Sequence, residues 1–178
     1  MSPNPEHLIR RSQALRALLE SAIDQVAELP DWVDQRSPGP DRWSPVQILE
    51  HLILAEREML GFPAPFSERD IERPRIRHRL GRASVLTVLK LGIPVPVPET
   101  AMSPKGKTPL HRLRRMIAEI HDWLETEIAS EPAETLRSPI FHHPITGPMT
   151  LEQALRLDKL HIKTHLRHLD DLITELTA

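Results

Sequence analysis

Two histidines, His161 and His165, stand four residues apart in a leucine-rich stretch near the end of the chain. On an α-helix that spacing puts both rings on one face, one turn apart, with Cβ atoms about 5–6 Å from each other. Two imidazoles so placed can grip one divalent cation through neutral ring nitrogens. They can equally be core histidines with hydrogen-bond partners, and among ten histidines an HxxxH spacing also arises by chance. The residue after the first histidine is Ile162, so the zinc-protease signature, which needs Glu there as a general base, is absent. A metal held here needs a third ligand from elsewhere.

The element that must carry the pair is a helix over residues 150–176. Thr150 is a good N-cap, Gln153 can close a capping box, and Ala154, Leu157, Leu169, Leu172 and Leu176 recur at helical spacing with no Gly or Pro between them. At about 100° per residue, Ala154, Asp158, His161, His165, His168 and Leu172 share one stripe, which should face the core. Buried imidazoles are costly unless each finds a partner, and one cation satisfies both.

The candidate third ligand is His51. Trp43-Ser44-Pro45-Val46-Gln47-Ile48 gives four agreeing helix-start signals: Ser44 as N-cap, Pro45 at the first position, Gln47 closing a capping box, and Trp43 stapled onto Ile48. This second helix should run to Leu60 and stop at Gly61. Periodicity puts Ile48, His51, Ala55 and Glu58 on its inward face. The plainer alternative for His51 is a core histidine bonded to a carbonyl or water.

Two further helices complete the set. Asn4-Pro5-Glu6 starts the first, whose apolar face is Leu8, Leu15, Leu19, Ala22, Val26 and Leu29; His7 is a solvated first-turn residue. Thr108-Pro109 reads as cap and first position of the third, with Leu113, Ile117, Ile120, Leu124 and Ile128 facing inward and His121 at the edge of the stripe. Between the second and third helices lies a long crossover, about residues 62–107, too long to be structureless. Residues 80–91 can form a short helix there, and the alternating prolines from Pro94 to Pro98 must be extended, as a stiff crossover or a ligand for a partner's aromatic groove. Arg69, Arg73, Arg75, Arg77, Arg79, Arg82 and His78 make either an anion site or a surface paired with Glu68, Asp70 and Glu72. Residues 130–149 read as a second proline-rich loop, and its adjacent His142 and His143 should point opposite ways.

Four amphipathic helices without a strand pattern predict an all-α fold, a four-helix bundle in a single domain over residues 1–178. Short links make helices one and two, and three and four, antiparallel pairs, while the crossover permits two and three to run parallel. A net charge of -2 leaves no electrostatic footprint for nucleic acid, and the absence of cysteine excludes thiolate nucleophiles and Cys-type zinc sites. Without a signal-like leader or an apolar run of membrane length, the sequence reads as a soluble cytoplasmic protein.

The stretch Trp43-Ser44-Pro45-Val46-Gln47-Ile48-Leu49-Glu50-His51-Leu52 resembles the second-helix signature of DinB-like proteins. His143-Pro144-Ile145-Thr146-Gly147-Pro148-Met149-Thr150, followed by His161, His165, His168 and Leu169, resembles their last loop and helix. The resemblance implies a four-helix bundle with a long crossover between helices two and three, frequently a homodimer, and a divalent metal held by three histidines, here His51, His161 and His165. Zinc, nickel and iron all suit such ligands. It also implies a small-molecule substrate and an enzyme, either a hydrolase or an S-transferase using a low-molecular-weight thiol. Asp158, Glu58 and His168 are the candidate catalytic residues; His168 stands where relatives often have Gln. The alternative is a non-catalytic metal-binding or stress-linked interaction protein.

Overall fold

The computed structural model describes residues 4–40, 42–69, 102–143 and 146–178. The chain folds in the order α1 (Pro5–Ala27), a short α2 (Asp31–Asp34), α3 (Pro45–Leu60), a 3-10 turn (Phe66–Glu68), α4 (Leu110–Ser130), a short α5 (Ala133–Arg137), β1 (Pro139–His143), β2 (Gly147–Thr150) and α6 (Leu151–Thr177). The expected helix at residues 80–91, the extended prolines, and the arginines from Arg73 to Arg82 with His78 lie outside the described residues.

The start and stop signals act as local chemistry requires. The Asn4 side chain accepts from the amide of Glu6. Ser44 with Gln47 and Thr150 with Gln153 each form a complete capping box, and Gly61 ends α3 in the left-handed region at φ 63°. One start differs from expectation. Helix α4 begins at Leu110 with Pro109 as an unassisted cap, because the Thr108 hydroxyl is committed elsewhere, to the carboxylate of Glu50.

Side-chain pairs give the direction of each helix. Gln13 meets Glu125, Arg16 meets Asp122 and Asp24 meets Arg114, so α1 and α4 are antiparallel. Arg11 meets Glu152 and Gln25 meets Asp170, so α1 and α6 are parallel. Arg42 meets Glu175 while His51 meets His161 further along, so α3 and α6 are antiparallel. It follows that α3 and α4 run in the same direction, which only a long connection allows. The four apolar stripes close on one core containing Leu15, Leu19, Leu49, Leu52, Ile53, Leu113, Ile117, Ile120, Leu124, Ile162 and Leu169, each about 1% exposed or less. Each such side chain contributes about 1.5–3 kcal/mol of burial.

The loop over 130–149 is not structureless. It holds α5 and an antiparallel hairpin in which Phe141 pairs with Met149 and His143 with Gly147. Pro139 and Pro148 both lie in this two-stranded ribbon, where each strand pairs on one side only within the ribbon and a missing N–H costs little. Arg69 is likewise not part of an anion site. Its guanidinium donates to the carbonyls of Gly61, Ala64 and Ile140 and lies over the rings of Phe66, Trp123 and Phe141 at 5.0–5.7 Å. That arrangement ties the turn after α3 to α4 and to the hairpin.

Candidate metal centre

The capping box at Ser44 sets the phase of α3, and two turns later His51 points into the seam with α6. There the ring centroids of His51, His161 and His165 lie 4.7–5.3 Å apart. One nitrogen from each ring falls within 4.8 Å of the others, so the three could hold a metal ion. Nδ1 of His51 donates to the carbonyl of Met102 at 2.9 Å, which leaves the Nε2 lone pair to point at the other two rings. Burial lowers the pKa of all three imidazoles, that of His165 to about 3, and their mutual proximity lowers His161 and His165 further. At neutral pH the rings are therefore unprotonated, the form that ligates a cation, and the donor set fits a divalent metal.

Three surrounding features were not read from the sequence in this role. Trp43, expected as a staple on Ile48, lies with its ring 4.7 Å from His51 and 6.2 Å from His165 and forms one wall of the site. Met102, at the end of the crossover, supplies the orienting carbonyl. Glu50, next to His51, accepts from the amides of Lys105 and Gly106 and from the Thr108 hydroxyl, clamping that same segment against α3. Only the Trp43 position carried a signal, a large aromatic ring at the N-terminal end of the helix that presents His51 two turns later.

The other histidines separate. His168 is half-buried beside the site, 5.8 Å from His165 between ring centroids. His143 is half-buried and near enough to His161 to depress its pKa, and its Nδ1 accepts from the amide of Thr146. His142 and His7 are exposed. His121, expected at the edge of its stripe, is fully buried.

The two candidate carboxylates also part company. Asp158 is 1% exposed and lies against Glu56, below the three histidines. Glu58, expected inward, is exposed, seven residues and about 10 Å along the axis beyond His51. The carboxylate that turns inward is Glu56, which continues the Leu49, Leu52, Leu60 stripe. That stripe was the readable signal, an acid whose neighbours at helical spacing, Leu52, Ile53, Met59 and Leu60, are all apolar.

A family model described as the DinB superfamily matches residues 8–169, nearly the whole bundle. The chain belongs to the DinB superfamily. No curated protein and no solved structure matches it. In this DinB-superfamily chain the matched span includes all three histidines of the cluster. Among the described residues no helix is long and apolar enough to cross a membrane.

Proposed function

We propose that this chain is a metal-dependent enzyme, a hydrolase or a thiol-dependent S-transferase, acting on a small molecule at a divalent metal held by His51, His161 and His165. The observation that carries the reading is the openness of the donor set. Three nitrogens converge, no fourth His, Asp or Glu joins them among the described residues, and His161 and His165 are only half-buried. Structural zinc sites are closed by four protein ligands, whereas three-ligand sites keep a position for substrate. Zinc, nickel or iron suits the imidazole donors. When bound, such a metal supplies a Lewis acid that polarises a carbonyl and acidifies a water or a low-molecular-weight thiol.

The chain's own residues supply orientation and proton handling. Met102 fixes the ring of His51, and Trp43 gives the substrate an apolar wall that excludes water from one side. With Nδ1 of His143 accepting from Thr146, its neutral ring carries the proton on Nε2 and can donate it. His168 is the second imidazole beside the site and the better placed of the exposed-side candidates, since Glu58 faces solvent and Asp158 is enclosed. The same reading makes the protein a cytoplasmic homodimer, which fractionation and light scattering check.

Elemental mass spectrometry on untagged protein never exposed to nickel resin, together with a turnover screen of thiol adducts, esters and amides, tests the proposal. The wild type should carry metal and show metal-dependent turnover, and His161→Ala should lose both. Normal turnover by His161→Ala overturns the reading. Absence of turnover with specific capture of a protein partner favours the non-catalytic alternative.

A further inference from the structure

Below the three histidines the bundle core holds a polar layer that the proposed reaction does not use. Helices α1, α3, α4 and α6 contribute one residue each, Ser12, Glu56, His121 and Asp158, and all four are at most 1% exposed. They connect in series. The Ser12 hydroxyl is 2.7 Å from Nδ1 of His121, and Nε2 on the other side of that ring is 3.2 Å from Oε1 of Glu56. The Glu56 carboxyl is in turn hydrogen-bonded to that of Asp158, which requires a proton between them. Burial keeps that proton in place, because it raises Glu56 to about 7 and Asp158 well above its ordinary value. Around this layer the buried stripes of α3 and α6 are mainly aliphatic, with Leu49, Leu52 and Leu60 on one and Leu155, Ile162 and Leu169 on the other.

We propose that this layer fixes how far α6 lies along α3, so that Glu56 and Asp158 are positioning residues for the cluster of His51, His161 and His165. Its consequence for a metal rests on the three-histidine reading above. An aliphatic seam specifies register weakly, whereas a buried polar contact specifies it strongly, since any slip strands its members among apolar side chains. A slip of one helical turn moves α6 by about 5.4 Å. Such a slip has a chemical cost here, because α6 carries Asp158, His161, His165 and His168 about one turn apart. Moved one way, α6 would set His165 and His168 beside His51; moved the other, Asp158 and His161. Each pair has donors that ligate cations, so the histidines alone do not choose a register. The contact between Glu56 and Asp158 does, because it forms where the rings of His161 and His165 stand 5.3 and 4.8 Å from that of His51. Glu56 follows His51 by five residues and Asp158 precedes His161 by three, so on antiparallel helices the layer lies about 5–8 Å from the cluster. His121 and Ser12 extend the same constraint to α4 and α1.

The test reads register directly. The chain has no cysteine, so spin labels can be placed at Arg57→Cys on α3 and Asp171→Cys on α6, both exposed positions, and their separation measured by pulsed electron resonance. Metal-free wild type should give one narrow distance that zinc leaves unchanged. Glu56→Gln/Asp158→Asn, which keeps a side-chain hydrogen bond between the helices, should match it in distance and in cobalt affinity measured against a chromogenic chelator. Glu56→Leu/His121→Leu/Asp158→Leu should melt no lower than wild type, yet show a second distance displaced by about 5 Å and bind cobalt about tenfold or more weakly. A folded leucine triple that keeps the single wild-type distance overturns the proposal, as does a second distance with unchanged affinity. If the triple does not fold, the wild type decides: two distances that collapse to one on adding zinc would make the ion, and not the polar layer, the source of register. Because the distances are read without a cation, a wild type that binds no cobalt removes the metal reading and leaves the register result standing on its own.

Discussion

Nδ1 of His51 lies 2.9 Å from the carbonyl oxygen of Met102, so a residue from the end of the crossover aims a candidate metal ligand that belongs to α3. The adjacent Glu50 holds the same segment through three donors. Ligand orientation and seating of residues 102–108 are therefore one event, because neighbouring residues on α3 grip the same piece of chain.

That coupling predicts the effect of Gly106→Ala. Gly106 has φ 67°, and a Cβ there would stand 2.9 Å from Cγ of Gln47. The substitution should lift the segment from Glu50 and cost about tenfold or more in metal affinity, within the ~10–100-fold range of lost orienting contacts. Competition with a chromogenic chelator measures it; unchanged affinity would show that His51 holds its orientation without Met102.

Metal arrival should be visible in the fluorescence of Trp43. In a Trp32→Phe/Trp123→Phe background, nickel or cobalt should quench the remaining emission in proportion to occupancy, since the indole is 4.7 Å from His51. Adding His161→Ala should remove the quenching. Persistent quenching in that variant would place the ion elsewhere.

The metal-free protein should lose stability on both sides of neutrality. Five imidazoles, His51, His121, His143, His161 and His165, have pKa values lowered first by burial, His121 to about 4 and His165 to about 3. Each takes up a proton more readily when unfolded, so stability falls as pH drops from about 6.5 toward the folded values. Glu56 and Asp158 act oppositely: burial raises Glu56 to about 7 and Asp158 well above its ordinary value, so their contribution is lost as pH rises from about 4.5 through the folded values. Five groups outweigh two below pH 6.5, which makes acid the steeper limb. Melting curves after chelation should peak near neutral pH, and Glu56→Gln/Asp158→Asn should remove the loss that accompanies rising pH, flattening the alkaline limb and steepening the acid one. A peak at pH 5 would contradict the buried, neutral state of the histidines.

Arg69→Lys should destabilise the fold by about 1–3 kcal/mol in urea denaturation without changing metal affinity. A lysine cannot reach three carbonyls in a planar fork while lying against three aromatic rings. Wild-type stability in that variant would show the cage to be incidental.

The helix starts were legible because each is written in adjacent residues: Ser44-Pro45-Val46-Gln47 and Thr150-Leu151-Glu152-Gln153 carry cap, box and phase within one turn. From phase alone His51, His161 and His165 could be brought to one seam. The hairpin was hidden because prolines at 139 and 148 remove the usual strand pattern, and only pairing with a single neighbour tolerates them. Glu58 was expected inward because it shares the angle of His51, but periodicity gives the angle of a side chain and not what packs against it at each level, and Glu56 is the acid that is buried. His121 looked marginal on its own stripe; its burial comes from Ser12 and Glu56, which lie more than sixty residues away in sequence. The role of Met102 is a carbonyl, and a carbonyl leaves no mark on residue type.

His51 is made about 110 residues before its two companions on α6. A ribosome-bound chain that has exposed the first three long helices has no chelating set at this level of the bundle. If the three histidines hold an ion, its capture there reports that α6 has been made and seated, and a chain cut short before His165 would lack the third donor.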